Sequence, residues 1–306
     1  MNRIGLKKYL MKHLKDYLPS NLQDAEILFE EVAKNNEIKE GIMIRKEGGE
    51  AVPILYLDWY DELQPDQACK QIASDYIKYM SEQVNLSVWE ILNYYSLEDI
   101  KMRLISRERN EALLCKVPCY KQLDLAFVPY LEINSGMVFK VTYDYCAKKG
   151  WEPREVVRAG MENIKKEEVK FMSMKEILSE MLGEEGTDIP QNEGVYVLTN
   201  QSGQFGAAQI GNPEVLRAIE QGLDTPYYIL PASVHEVIIL AERSELNPEA
   251  LQAMIKSVNE DVVDVQEQLS NNVYRYSKEK GVQMYQDGRW FGQGKEVGKD
   301  YRGPKL

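Results

Sequence analysis

The sequence predicts an α+β protein: mainly antiparallel sheets built from repeated hairpin-helix (ββα) units, with helices packed on one face. Three observations predict it. Short apolar runs of strand character come in pairs joined by tight-turn residues, and tight turns join antiparallel neighbours because parallel ones need a long crossover. An amphipathic helix with a start signal follows each pair, which yields sheets with helices packed against them. Hydrophobic residues are 44% and charged residues 28% of 306. A chain of that size buries roughly 75% of its unfolded surface and needs neither disulfide nor metal to stay folded.

The chain opens with a helix. Over residues 6–18, Leu6, Tyr9, Leu10, His13, Leu14 and Tyr17 form one stripe, with Lys7, Lys8, Lys12 and Lys15 mostly off it. Pro19 stops it. Such a basic amphipathic helix packs on its own domain more often than on an anionic membrane. Ser20 with Gln23 three residues on fits a capping box, so a second helix is expected there.

Four hairpin-helix units follow. The first pairs Gly41–Arg45 with Val52–Trp59 around Gly48-Gly49, and its helix begins near Pro65 with Ala68, Ile72, Tyr76 and Met80 on one face. The second pairs Leu125–Ile133 with Met137–Tyr145 around Asn134-Ser135-Gly136. Its helix starts at Pro153 and buries Val156, Val157, Gly160, Met161 and Ile164. The third pairs Val195–Asn200 with Gly206–Ile210 around Gln201-Ser202-Gly203, before a helix capped by Asn212. The fourth pairs Tyr227–Leu230 with Glu236–Ala241 through Pro231-Ala232-Ser233, before a helix capped by Asn247. Asn-Pro-Glu opens both of the last two helices, where side-chain cap, preset φ and dipole-favoured charge agree.

Between units, residues 87–121 predict one or two helices and a strand near Met102–Ser106. Ser173 with Glu176 predicts a capped helix to Leu182, and Val273–Tyr276 with Val282–Tyr285 a last hairpin. The polar, aperiodic run 183–193 reads as a linker. The expected organisation is an N-terminal α+β region (1–182), the linker, a C-terminal α+β region (194–287) and a flexible Gly/basic tail (288–306). In that tail Trp290 and Phe291 offer stacking surfaces, and Arg289, Lys295, Lys299 and Arg302 offer charge for nucleic acid.

Composition narrows function mostly by exclusion. A net charge of −12 argues against nucleic-acid binding through bulk charge. No apolar run approaches the roughly 20 residues that span a bilayer, and the first residues lack a secretory signal, so no membrane association and a cytoplasmic location are expected. The four cysteines include one close pair, Cys115 and Cys119, and the two histidines, His13 and His235, lie far from it in sequence. Zinc sites use two such pairs or a pair with spaced histidines, so neither metal nor cofactor is expected. The one constellation with catalytic residue types is Ser233-Val234-His235-Glu236. In a strand Ser233 and His235 share a face and Glu236 points away, and no nucleophile elbow accompanies the serine.

Several runs resemble a known family. These are Leu104-Ile105-Ser106-Arg107-Glu108-Arg109-Asn110, Val117-Pro118, Leu123-Asp124-Leu125-Ala126, Tyr196–Asn200 with Gly206-Ala207-Ala208, and Tyr228–Val237. They resemble the bacterial domain of unknown function 5688 family over roughly residues 25–280. The family commonly carries a serine where this chain has Ala232. The resemblance implies no reaction, substrate or cofactor. It implies a role in anaerobic gut bacteria near mobile genetic elements. The expected function is therefore a non-enzymatic accessory or binding protein with a protein partner. The alternatives are a hydrolase-like enzyme around Ser233, His235 and Glu236, and a nucleic-acid-associated factor using the tail.

Overall fold

The structure, a computed structural model, describes residues 2–46, 53–82, 92–134, 137–182, 194–231, 233–243 and 246–292. The fold is α+β, and every strand pairing among the described residues is antiparallel. The chain divides into two units, Met1–Tyr94 and Tyr95–Leu306.

In the first unit, α1 (Arg3–His13) is capped by Asn2, whose Oδ1 accepts from the Gly5 amide at 2.9 Å. It continues as a 3-10 turn over Leu14–Tyr17, and Leu6, Leu10 and Leu14 are buried as the stripe predicts. The expected second helix is instead a 3-10 turn of three residues, Ser20–Leu22. Gln23 does not close a capping box; its amide donates back to the carbonyls of Lys15 and Leu18. The chain then extends into β1 (Glu26–Ala33), which pairs with β2 (Ile38–Arg45), and β2 pairs with β3 (Leu55–Tyr56). The predicted Gly48-Gly49 turn lies outside the described residues. In α2 (Pro65–Glu82), Ala68, Ile72 and Tyr76 are buried against Leu10, Leu14 and Ile42, whereas Met80 is exposed.

The second unit holds two sheets. The smaller consists of β4 (Lys101–Ser106), β5 (Tyr120–Gln122), β6 (Leu125–Asn134) and β7 (Met137–Lys140). β4 lies along one edge of β6, while β5 and β7 share the other. The helix α3 (Glu111–Leu114) connects β4 to β5. The strand expected to run to Tyr145 stops at Lys140, because Thr142 caps α4 (Tyr143–Lys149) by accepting from the Tyr145 amide at 3.1 Å. The next helix, α5 (Pro153–Ile164), buries Val156, Val157, Gly160 and Ile164. Gly160 lets α5 approach β4 so closely that a methyl there would overlap the Met102 side chain.

The larger sheet contains β8 (Val169–Ser173), β9 (Val195–Asn200), β10 (Tyr227–Leu230), β11 (Val237–Ala241), β12 (Val273–Ser277), β13 (Gly281–Gln286) and β14 (Arg289–Gly292), in the order β14-β13-β12-β10-β11-β9-β8. β8 and β9 pair with each other from either side of the 183–193 run. The third expected hairpin does not form: Gly206–Gly211 is a 3-10 turn. Phe205 enters it with φ +55°, and a Cβ on Gly206 would overlap Thr199 Oγ1 and the Asn200 amide. The other edge of β9 is taken by β11. The remaining helices are α6 (Met174–Leu182), with the predicted Ser173–Glu176 box, α7 (Pro213–Leu223) and α8 (Pro248–Asp261). Asn212 and Asn247 cap α7 and α8 as expected. Within α8, Leu251 and Ile255 are buried, but Met254 and Val258 are exposed.

The stretch expected to begin a flexible tail starts as edge strand β14. Trp290 stacks on Tyr228 at 6.0 Å between centroids and packs on Tyr285 at 5.0 Å, so its ring is spent on the sheet. Lys295, Lys299 and Arg302 lie outside the described residues.

Candidate functional site

The two sheets of the second unit are tied together by one carboxylate. Leu123, between β5 and β6, adopts φ +57°, a left-handed conformation that is costly for a branched side chain. It turns the chain so that Asp124 leaves the small sheet. The Asp124 carboxylate accepts from Ser270 Oγ at 2.6 Å, from Asn272 Nδ2 at 3.0 Å and from the Tyr274 hydroxyl. Tyr274 is 1% exposed, and burial together with the Asp124 charge pushes its phenol well above the ordinary range. Nearby, Arg109 donates to Gln268 Oε1, which ties the β4–α3 connection to the segment leading to β12 as well.

These ties frame a cleft of about 690 Å³, within the range of small-ligand and peptide sites. Arg107, Glu108, Glu111, Lys121 and Asp124 line it, together with Tyr143 and Met284. Arg107 is fixed by its backbone, whose N–H donates to Asp124 O at 2.8 Å, and by its guanidinium, which donates to Leu123 O. Lys121, Glu108 and Glu111 are exposed and face solvent. Cys115 is an exposed thiol on the same surface. Cys119 is half-buried, and burial pushes its thiol up. The cleft therefore offers both signs of charge beside the apolar side chains of Leu114, Leu123 and Met284. Its least exposed carboxylate, Asp124, already holds three donors.

Ser233, His235 and Glu236 sit elsewhere, in the connection just before β11. Ser233 Oγ accepts from the His235 backbone N–H at 3.0 Å, a local turn, and no bond joins it to the imidazole. The ring of His235 stacks on Phe205 at 5.5 Å and 16°. Its Nδ1 accepts from the Phe205 amide at 3.4 Å, and its Nε2 lies 3.4 Å from Glu267. The Arg103 guanidinium approaches the same Phe205 ring at 5.8 Å. Tyr130 meets it edge-on at 5.1 Å, so β4, β6 and the segment before β11 converge on Phe205. Glu236 is exposed.

A second cleft, of about 480 Å³, contains Lys101, Glu132 and Glu167. Lys101 and Glu132 form an ion pair at 2.5 Å. The Glu167 carboxylate accepts from Gln209 Nε2 at 3.0 Å and Asn200 Nδ2 at 3.5 Å. Burial raises its pKa, and the amides and Lys101 only partly offset that rise. Among the described residues, no group of three or more His, Cys, Asp or Glu is placed to hold a metal ion, and no helix is long and apolar enough to cross a membrane.

The sequence did not single out Lys121, Glu111 or the Ser270–Tyr274 segment as functional. The resembling runs 104–110 and 123–126 were the available signal, since both line the larger cleft. The model of DUF5688, a family of unknown function, matches residues 5–278, and the chain belongs to that family. No curated protein and no solved structure matches it.

Proposed function

We propose that this chain is a non-enzymatic binding protein of the cytoplasm that takes a peptide segment of a protein partner into the cleft between Arg107 and Lys121. The observation that carries this reading is the state of Asp124. A general base must be placed to take a proton from its substrate, and both Asp124 oxygens already accept within the fold, one from Ser270 and Asn272 and the other from Tyr274. What the cleft presents to a ligand is Arg107 and Lys121, Glu108 and Glu111, and three apolar side chains. Mixed charge beside apolar surface suits a polypeptide better than a small anion or a sugar. The hydrolase alternative has less support, because Ser233 Oγ is bonded to the His235 backbone and the imidazole faces Phe205 and Glu267, with no bond to that serine. The family resemblance adds an accessory role beside mobile genetic elements.

A photo-crosslinking residue at Glu111, expressed in the full chain in its native cell, tests the reading. A discrete protein adduct is expected, reduced several-fold by Lys121→Glu, and no such adduct from the same group at Ala218 on α7. An adduct indifferent to Lys121→Glu, or equal adducts from both positions, would overturn it.

A further inference from the structure

Arg103, on β4, carries a positive charge that the fold does not answer. Its Nε is buried and has no hydrogen-bond partner. Among the described residues no carboxylate pairs with this guanidinium, whereas Arg3, Arg45, Arg158 and Arg275 each meet one. Burial lowers its pKa to about 10, and among the described residues only the phenol of Tyr130 offsets that fall. The guanidinium does have the Phe205 ring, 5.8 Å from its central carbon. One cation–π contact stabilises a charge by less than its unpaired burial costs. Buried charges are normally paired, so Arg103 points to a counter-charge supplied from outside the chain. The side chain as a whole is only half-buried, which leaves a ligand a way in.

A second donor lies beside it. Arg103 stands opposite Val128 of β6 and Lys101 opposite Tyr130, and residues opposed across an antiparallel pair share a face with every second neighbour. Lys101, Arg103, Val128 and Tyr130 therefore point the same way. Tyr130 is 3% exposed, and among the described residues its hydroxyl makes no hydrogen bond. Burial, then the charges of Glu167 and Glu132, push its phenol up, so it keeps its proton and stays a donor. Tyr130 meets Phe205 edge-on at 5.1 Å, so the guanidinium and the phenol border one ring. That ring is held in place: His235 stacks on it, the Phe205 amide donates to His235 Nδ1, and Thr199 Oγ1 donates to the His235 carbonyl. Donors fixed in advance lose little entropy on binding.

The surrounding charges select among anions. Lys101 is paired with Glu132, and the carboxylates of Glu132 and Glu167 both act on Tyr130. One unanswered positive charge near two carboxylates suits a monoanion and repels a phosphate dianion. The guanidinium fork also matches the planar geometry of a carboxylate. From the unpaired Arg103, the Tyr130 hydroxyl and the Phe205 ring they share, we propose that this face binds a small organic carboxylate. Arg103 holds the carboxylate oxygens, Tyr130 donates to one of them, and Phe205 meets the apolar part of the ligand. Arg103 does not line the cleft at Arg107, so the inference does not depend on the role proposed for that cleft.

The probe is benzoate, whose ring suits an aromatic border. Benzamide, neutral and of the same shape, is the control. Inorganic phosphate is the competing anion, and chloride matches the ionic strength. The melting temperature of the full chain is followed against concentration, since a ligand of the folded state raises it as the site fills. Benzoate should give a saturable rise with a millimolar dissociation constant, benzamide none, and phosphate less than benzoate. Arg103→Met replaces an unpaired buried charge with an apolar side chain. Without benzoate it should be at least as stable as the parent, and with benzoate the rise should vanish. Tyr130→Phe keeps the charge and should weaken binding several-fold without abolishing it. A rise that persists in Arg103→Met, no rise beyond that of chloride, or a stronger response to phosphate would overturn the inference. So would an Arg103→Met chain less stable than the parent without benzoate, because the guanidinium would then serve the fold.

Discussion

Tyr274 and Asp124 lie 150 residues apart in sequence, and the phenol of one donates to the carboxylate of the other. That bond joins the turn before β6 in the smaller sheet to β12 in the larger. Ser270 and Asn272 donate to the same carboxylate from the chain leading into β12. The part of the cleft lining that carries Leu123 and Asp124 is therefore held by a contact that no local stretch of sequence contains.

Tyr274→Phe keeps the ring and removes the donor. Leaving a buried acceptor short of a partner costs about 1–3 kcal/mol, so the unfolding free energy from urea titration should fall by that amount. Asp124→Ala leaves three donors unanswered and should cost more than Tyr274→Phe in the same measurement. Equal and negligible effects would show that the carboxylate does not hold the two sheets together.

Alkaline pH should weaken the fold. Burial raises the phenols of Tyr60, Tyr76, Tyr227 and Tyr274 above the ordinary 10.0. Above about pH 10 the unfolded chain releases these protons while the folded chain keeps them, so the unfolded state binds fewer protons and stability falls as pH rises. Below that pH they add no slope. Urea midpoints should decline from about pH 10 upward, and in the native protein the phenolate absorbance of these residues should appear only with unfolding.

Gly206→Ala tests the turn that replaced the third hairpin. Its methyl would overlap Thr199 Oγ1 and the Asn200 amide, and overpacking of this kind costs about 1–3 kcal/mol. Gly203→Ala is the matched control. It sits at φ +68° with open space around it, so only the left-handed backbone, roughly 1 kcal/mol, is charged against it. The melting temperature should drop further for Gly206→Ala than for Gly203→Ala.

Glu167→Gln should leave stability at neutral pH unchanged or higher. The folded carboxyl takes up its proton at a higher pH than the unfolded one, whose ordinary value is 4.5. Its contribution to stability therefore increases as pH falls through the raised value and is unfavourable above it. Glutamine removes that burden and still offers a carbonyl to Gln209 and Asn200. The gap between variant and parent should narrow as pH falls toward about 4.5. A variant much less stable than the parent at neutral pH would mean that the charge of Glu167 is needed.

Local chemistry made part of this fold legible. The Asn-Pro-Glu starts of α7 and α8 and the antiparallel pairing of β10 with β11 needed only residues close to each other in sequence, and they stand where the sequence placed them. Ser20 and Gln23 misled because the glutamine amide found the carbonyls of the preceding turn, a choice the spacing alone does not record. Gly206–Ile210 misled because an apolar run of that length suits a strand or a turn, and close contact with Thr199 decided it. Trp290 looked free because its partners, Tyr228 and Tyr285, reach it only once the sheet has formed. The cleft was the least legible feature. Asp124 gains its meaning from Ser270, Asn272 and Tyr274, and nothing in their spacing points back across the chain.

The most direct test of the proposed role is hydrogen–deuterium exchange on the full chain, free and after recovery with its bound partner from the native cell. Protection should concentrate in residues 107–124, with exchange at residues 233–236 unchanged. Protection centred on residues 233–236, with 107–124 exchanging as in the free chain, would contradict it.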